Sequence, residues 1–107
     1  MITAKEAERI AAERLHELHP TYKIYSYGWG EDDEYYAPVL DRGHISKGEP
    51  GFLVNKQTGD VEKYQYWPNS PIAARLKAMK RTKYLFRRVI IRPRRFSRMW
   101  NTLFGEE

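Results

Sequence analysis

The chain predicts an α+β domain, and three observations predict it. Apolar residues recur every three or four positions through the first helical stretch. Aromatic and β-branched segments punctuated by glycines follow, and a second helical pattern opens at Ser70-Pro71. The expected architecture is an N-terminal helix, a four-stranded antiparallel meander, a second helix on the same face of the sheet, and a basic amphipathic helical extension. The 107 residues, 41% apolar and 14% aromatic, suffice for one compact domain with a modest core.

Thr3 followed by Glu6 is a capping-box spacing that starts the first helix. Ala7, Ile10, Ala11, Leu15 and Leu18 form its apolar stripe, with Glu8, Arg9, Glu13, Arg14 and Glu17 mainly on the solvent side. His19-Pro20 ends it, because a residue before proline avoids helical angles. Tyr22 to Trp29 reads as a strand, and Glu31-Asp32-Asp33-Glu34 as a polar turn. Tyr35 to Leu40 resumes strand character, with Pro38 marking an edge or a bulge. Asp41 to Pro50 is a loop. Phe52-Leu53-Val54 and Val61 to Trp67 are the third and fourth strands, joined by Lys56-Gln57-Thr58-Gly59 with Gly59 in a left-handed position.

Ser70 then caps a second helix with Pro71 at its first position and Ile72, Ala73, Leu76 and Met79 as its stripe. Tyr84 to Ile91 fits either a helical face or a fifth strand. Beyond Pro93, the spacing of Phe96, Met99, Trp100, Leu103 and Phe104 is that of an amphipathic helix. The boundary between domain and extension falls between residues 81 and 82. The expected core is Ile10, Ala11, Leu15, Leu18, Ile24, Val39, Val54, Val61, Ile72 and Leu76.

Charge divides the chain more sharply than its net +5 suggests. Residues 1–74 carry 8 Lys/Arg against 12 Asp/Glu, and residues 75–107 carry 11 against 2. The pattern is an acidic body followed by a basic tail that seeks an anion or the body itself. No apolar run exceeds three residues, so no membrane-spanning helix is expected. The charged pattern directly after Met1 reads as lacking a secretory leader, and a cytoplasmic protein is expected. The absence of cysteine excludes disulfides and thiolate chemistry. His16, His19 and His44 show no zinc-ligand spacing, and no phosphate loop or catalytic triad is readable, so neither metal, cofactor nor enzymatic activity is expected.

Two segments are candidates for binding. Trp29, Glu31, Asp32, Asp33, Glu34, Tyr35 and Tyr36 place four carboxylates among aromatic residues, a composition suited to a basic protein partner. In the tail, Arg87, Arg88, Arg92, Arg94, Arg95 and Arg98 lie near Phe96, Met99, Trp100, Leu103 and Phe104. That combination suits packing on the domain, self-association through the C-terminal helix, an anionic membrane surface or nucleic acid.

The segment from Pro50 to Val61, with Val54, Lys56, Thr58 and Gly59 between them, resembles the immunity protein 35 family of small bacterial proteins. Ala7, Ile10 and Ala11, and the aromatic Tyr27-Gly28-Trp29 followed by Tyr35-Tyr36, are similar to it as well. Related hairpins occur in PepSY-like domains. Asn55 stands where the family usually has an acidic residue, and the resemblance covers about residues 1–80. It implies a non-enzymatic antidote that binds and neutralises a cognate protein toxin in bacterial competition. Steric occlusion by the acidic-aromatic surface would be its mechanism.

Overall fold

The computed structural model describes residues 1–43 and 50–92. Its elements are α1 (Ala4–Leu18), β1 (Ile24–Glu31), β2 (Tyr35–Asp41), β3 (Gly51–Asn55), β4 (Val61–Tyr64), α2 (Pro71–Ala78) and β5 (Lys80–Ile91). The expected α+β class is present, but the sheet has five strands rather than four, in the order β4-β3-β2-β1-β5. Every neighbouring pair is antiparallel. The first four strands form the expected meander, and β5 returns after α2 to add to the free side of β1.

Local chemistry sets the element ends. Thr3 accepts from the Glu6 N–H while the Glu6 carboxylate accepts from the Thr3 N–H, completing the capping box. Ser70 caps α2 by accepting from the Ala73 N–H, with Pro71 in the first turn where its missing N–H costs no helical bond. Gly59 closes the β3–β4 turn with φ +78°. Pro38 sits on an inner strand rather than an edge, and the bulge alternative holds: from Ser26↔Leu40 to Trp29↔Pro38, three steps of β1 face two of β2. The β2–β3 ladder runs only through Tyr35 and Tyr36, so Pro38 lies beyond its last rung.

The two helices cover opposite faces of the sheet, which corrects the one-face expectation. Phe52 and Val54 pack with Ala7, Ala11, Ala12 and Leu15 of α1. Leu53, between them on β3, packs with Ala37, Met79, Ile72 and Leu76. Alternate residues of a strand point to opposite faces, so the clusters lie on either side. Ala11, Leu15, Ile24 and Val54 are buried as expected. Ile10, Val61, Ile72 and Leu76 are half-buried at the cluster margins. Leu18 and Val39 are exposed and do not belong to the core.

β5 resolves the ambiguity at Tyr84 to Ile91 in favour of strand and places the 81/82 boundary inside one continuous element. The helical extension therefore does not include residues 82–91. Phe96, Met99, Trp100, Leu103, Phe104, Arg94, Arg95 and Arg98 lie outside the described residues. The β1–β5 ladder is irregular: Ser26 pairs with Arg88 and Gly28 with Lys83, so two steps along β1 face five along β5. The surplus is an arch in β5 running from Tyr84 to Arg87.

Candidate functional site

The acidic-aromatic turn is built as a clasp between three parts of the fold. Asp32 Oδ1 accepts from the N–H groups of Glu34 and Tyr35 at 2.9 and 2.8 Å, which closes the turn. Arg75 of α2 donates from Nε to Asp32 Oδ2 at 2.8 Å and from Nη2 to Glu34 Oε1 at 2.9 Å. Lys56, in the β3–β4 hairpin, bonds Glu31 at 2.8 Å, and its backbone N–H donates to the Glu34 carbonyl. Arg75 lies over the Tyr35 ring and Lys56 over the Tyr36 ring, both at 4.7 Å from the centroid. Three of the four carboxylates are thus paired within the chain, and Asp33 alone is exposed without an ion pair among the described residues.

These pairings shift the carboxyl groups. The Lys56 hydrogen bond holds Glu31 below its ordinary 4.5. Burial alone raises Asp32, but the bonds from Arg75 and from the Tyr35 and Glu34 N–H groups outweigh it and bring it below 3.8. A carboxyl depressed in the folded state stabilises above its unfolded value, and that contribution is lost as pH falls through the folded one. Arg75→Ala removes both ion pairs, which are partly exposed, so a loss of about 1 kcal/mol is expected at neutral pH. In urea titrations the gap from the parent should narrow as pH falls through the lowered Asp32 value. An equal gap above and below that value would contradict the assignment.

A second cluster lies on the opposite face and was not read from the sequence. Glu8 is 1% exposed, correcting its solvent-side assignment. Ser26 Oγ donates to Glu8 Oε2 and Tyr84 Oη to Glu8 Oε1, both at 2.5 Å. Lys5 Nζ donates to Tyr84 Oη at 2.6 Å and lies 3.8 Å from Glu8 Oε1. It also lies 4.4 Å from the Tyr84 ring centroid and 5.6 Å from that of Trp29. Burial, reinforced by the bond to Glu8, pushes the Tyr84 hydroxyl above 10.0. The network ties α1 to both β1 and β5. Of the acidic-aromatic candidates, Trp29 faces this cluster, edge-on to Tyr84 at 6.0 Å. Its Nε1 is buried without a hydrogen bond of ordinary geometry among the described residues, the acceptor acting on it being the Glu31 carboxylate.

On the α2 face, a groove of about 450 Å³ runs between the diverging parts of β2 and β3 and the helix. Tyr64, Tyr66, Leu76 and Met79 line it, with Lys77 and Arg81 as its cations and no carboxylate in its wall among the described residues. Gly51 makes room for Tyr64, since a Cβ there would meet the ring at 2.2 Å. Burial pushes the Tyr64 hydroxyl above 10.0. Tyr66 is 52% exposed, and Trp67, the next residue, is 68% exposed. The sequence signal is the run Tyr64-x-Tyr66-Trp67: the expected strand reaches Trp67, but β4 ends at Tyr64 and leaves Tyr66 and Trp67 outside the ladder.

The basic candidates separate from both places. Arg87 and Arg88 lie on β5, and Arg92 follows it. Arg87 stacks 4.0 Å from the Tyr25 centroid and Arg88 lies 5.1 Å from that of Tyr84. Of the basic candidates only these three fall within the described residues, and none of them forms an ion pair with the carboxylates of the acidic turn. Among the described residues no group of three His, Cys, Asp or Glu side chains could hold a metal ion. His16 is buried, with Nε2 at 3.1 Å from the Pro20 carbonyl oxygen. No helix among these residues is long and apolar enough to cross a membrane. Compared with known proteins, the chain matches no family model, no curated protein and no solved structure.

Proposed function

We propose that this chain is a non-enzymatic binding protein that captures a protein toxin on its α2 face and neutralises it by steric occlusion. The observation that carries this reading is the aromatic groove of about 450 Å³ with Tyr66 in its wall and exposed Trp67 beside it. Trp and Tyr next to a concavity are the side chains that dominate protein interfaces, because they bury large area at small rotamer cost. The resemblance of Pro50–Val61 to immunity proteins supports a toxin as the partner. Arg75 lends the surface rigidity: by fixing the acidic turn to α2, it reduces the ordering that association would otherwise require. The occluding surface is then the groove rather than the acidic-aromatic turn, where only Asp33 lacks an ion pair among the described residues.

Co-expression with the product of the adjacent reading frame tests the proposal. Restored growth and a purifiable complex are expected, and Trp67→Ala should weaken that complex by about thirtyfold or more, as an interface anchor does. Unaltered killing together with no complex would overturn it.

A further inference from the structure

The β5 arch presents a surface unrelated to the groove. Leu85 is 90% exposed and Phe86 78%, adjacent residues at the point where β5 leaves the ladder. Residues 80–92 contain six cations, Lys80, Arg81, Lys83, Arg87, Arg88 and Arg92, and no carboxylate. None of these six forms an ion pair among the described residues, whereas Lys56 and Arg75 are fully engaged. Arg87 is held by the Tyr27 hydroxyl and the Tyr25 ring, neither of which is a carboxylate. Cations and a bulge are ordinary devices for keeping an edge strand from pairing with copies of itself. A purely defensive edge, however, has no use for a leucine and a phenylalanine held outward in water.

We propose that the Leu85–Phe86 arch inserts into the surface of an anionic lipid bilayer, with the β5 cations meeting its headgroups. The two apolar side chains are exposed almost entirely rather than seated in a pocket, so their acceptor must be continuous and deformable, as the acyl region beneath lipid headgroups is. Burying them there removes apolar area from water, and the surrounding cations add attraction to negative lipid, the two terms that set interfacial binding. Nucleic acid would satisfy the cations and stack Phe86, but it offers nothing for Leu85. Such attachment is peripheral and involves no spanning segment.

Flotation of the full chain with phosphatidylglycerol–phosphatidylcholine vesicles tests this, with pure phosphatidylcholine vesicles and a single-stranded oligonucleotide as the other probes. Binding to the mixed vesicles is expected, falling as salt is raised. Leu85→Ser with Phe86→Ser should weaken it by roughly thirty- to hundredfold, a size set by withdrawing two large side chains from the acyl boundary. Both positions are exposed, so the variant should keep the parent's thermal midpoint. Lys83→Gln with Arg87→Gln should weaken binding to mixed vesicles alone. No binding to mixed vesicles beyond that to phosphatidylcholine would overturn the proposal. So would undiminished binding by the double serine variant, or oligonucleotide binding without vesicle binding.

Discussion

Gly28→Ala is expected to remove most of the domain's stability. Gly28 has φ +125°, a conformation that side-chain-bearing residues rarely adopt, and a Cβ there would lie 2.0 Å from the Thr82 carbonyl oxygen. The obstacle is backbone of β5 rather than the end of a flexible side chain, so it yields only if the β1–β5 ladder separates. Backbone strain and overpacking together put the cost at about 3–5 kcal/mol, a large share of the stability of a domain this size. A fall in Tm of about 15 °C or more should accompany it. Gly59→Ala is the internal control. Its φ is also positive, at +78°, but its nearest neighbours are Ile2 Cγ2 at 3.8 Å and Ile10 Cδ1 at 3.9 Å. It therefore bears strain alone, about 1 kcal/mol. Equal losses for the two variants would mean that β5 does not press against β1 at Gly28.

Glu8→Ala should be the second large effect. The side chain is the shared acceptor for Ser26 and Tyr84, and its removal leaves two hydroxyls facing a cavity beneath α1. Ser26 keeps a weaker outlet, the Gly28 carbonyl oxygen at 3.3 Å, whereas the Tyr84 hydroxyl also loses its counterpart to the donation from Lys5. Unsatisfied buried groups and a residual void together cost about 3–5 kcal/mol. Tyr84→Phe should cost less, about 1–2 kcal/mol, because Glu8 retains the Ser26 bond. The double variant should lose less than the two single losses combined, since both act on one bond. Chemical denaturation of the four proteins measures this directly. A Glu8→Ala loss below about 0.5 kcal/mol would show a solvated carboxylate instead.

Glu8 also shows why the helix face was only partly legible. The spacing of Ala7, Ile10, Ala11, Leu15 and Leu18 centred the buried stripe too close to Ile10 and Leu18. The observed stripe includes Glu8, Ala12 and His16, while Leu18 is exposed. The rotation follows from β5. A sheet ending at β1 gives α1 nothing to cover on that side, but α1 also packs against β5. Capping residues, the Gly59 turn and the α2 start were readable because each depends on neighbours within a few positions. The partners of the acidic turn were not, since Lys56 is 25 residues from Glu31 and Arg75 is 43 from Asp32. Four consecutive carboxylates looked unpaired because only tertiary structure supplies their cations.

The same distinction governs the functional reading. Composition drew attention to charge, in the acidic turn and the basic tail. Folding pairs most of the turn's acids internally, leaves the β5 cations without ion pairs among the described residues, and opens an aromatic groove that no charge pattern marks. Partner capture on the α2 face is the claim on which the functional account rests. Amide hydrogen exchange of the co-expressed complex against the free chain tests it most directly. The account predicts slowed exchange along residues 64–67 and 71–81, around the groove, with the solvent side of α1 unchanged. Slowed exchange confined to the α1 face, or to the turn at residues 31–36 with the groove unaffected, would contradict it.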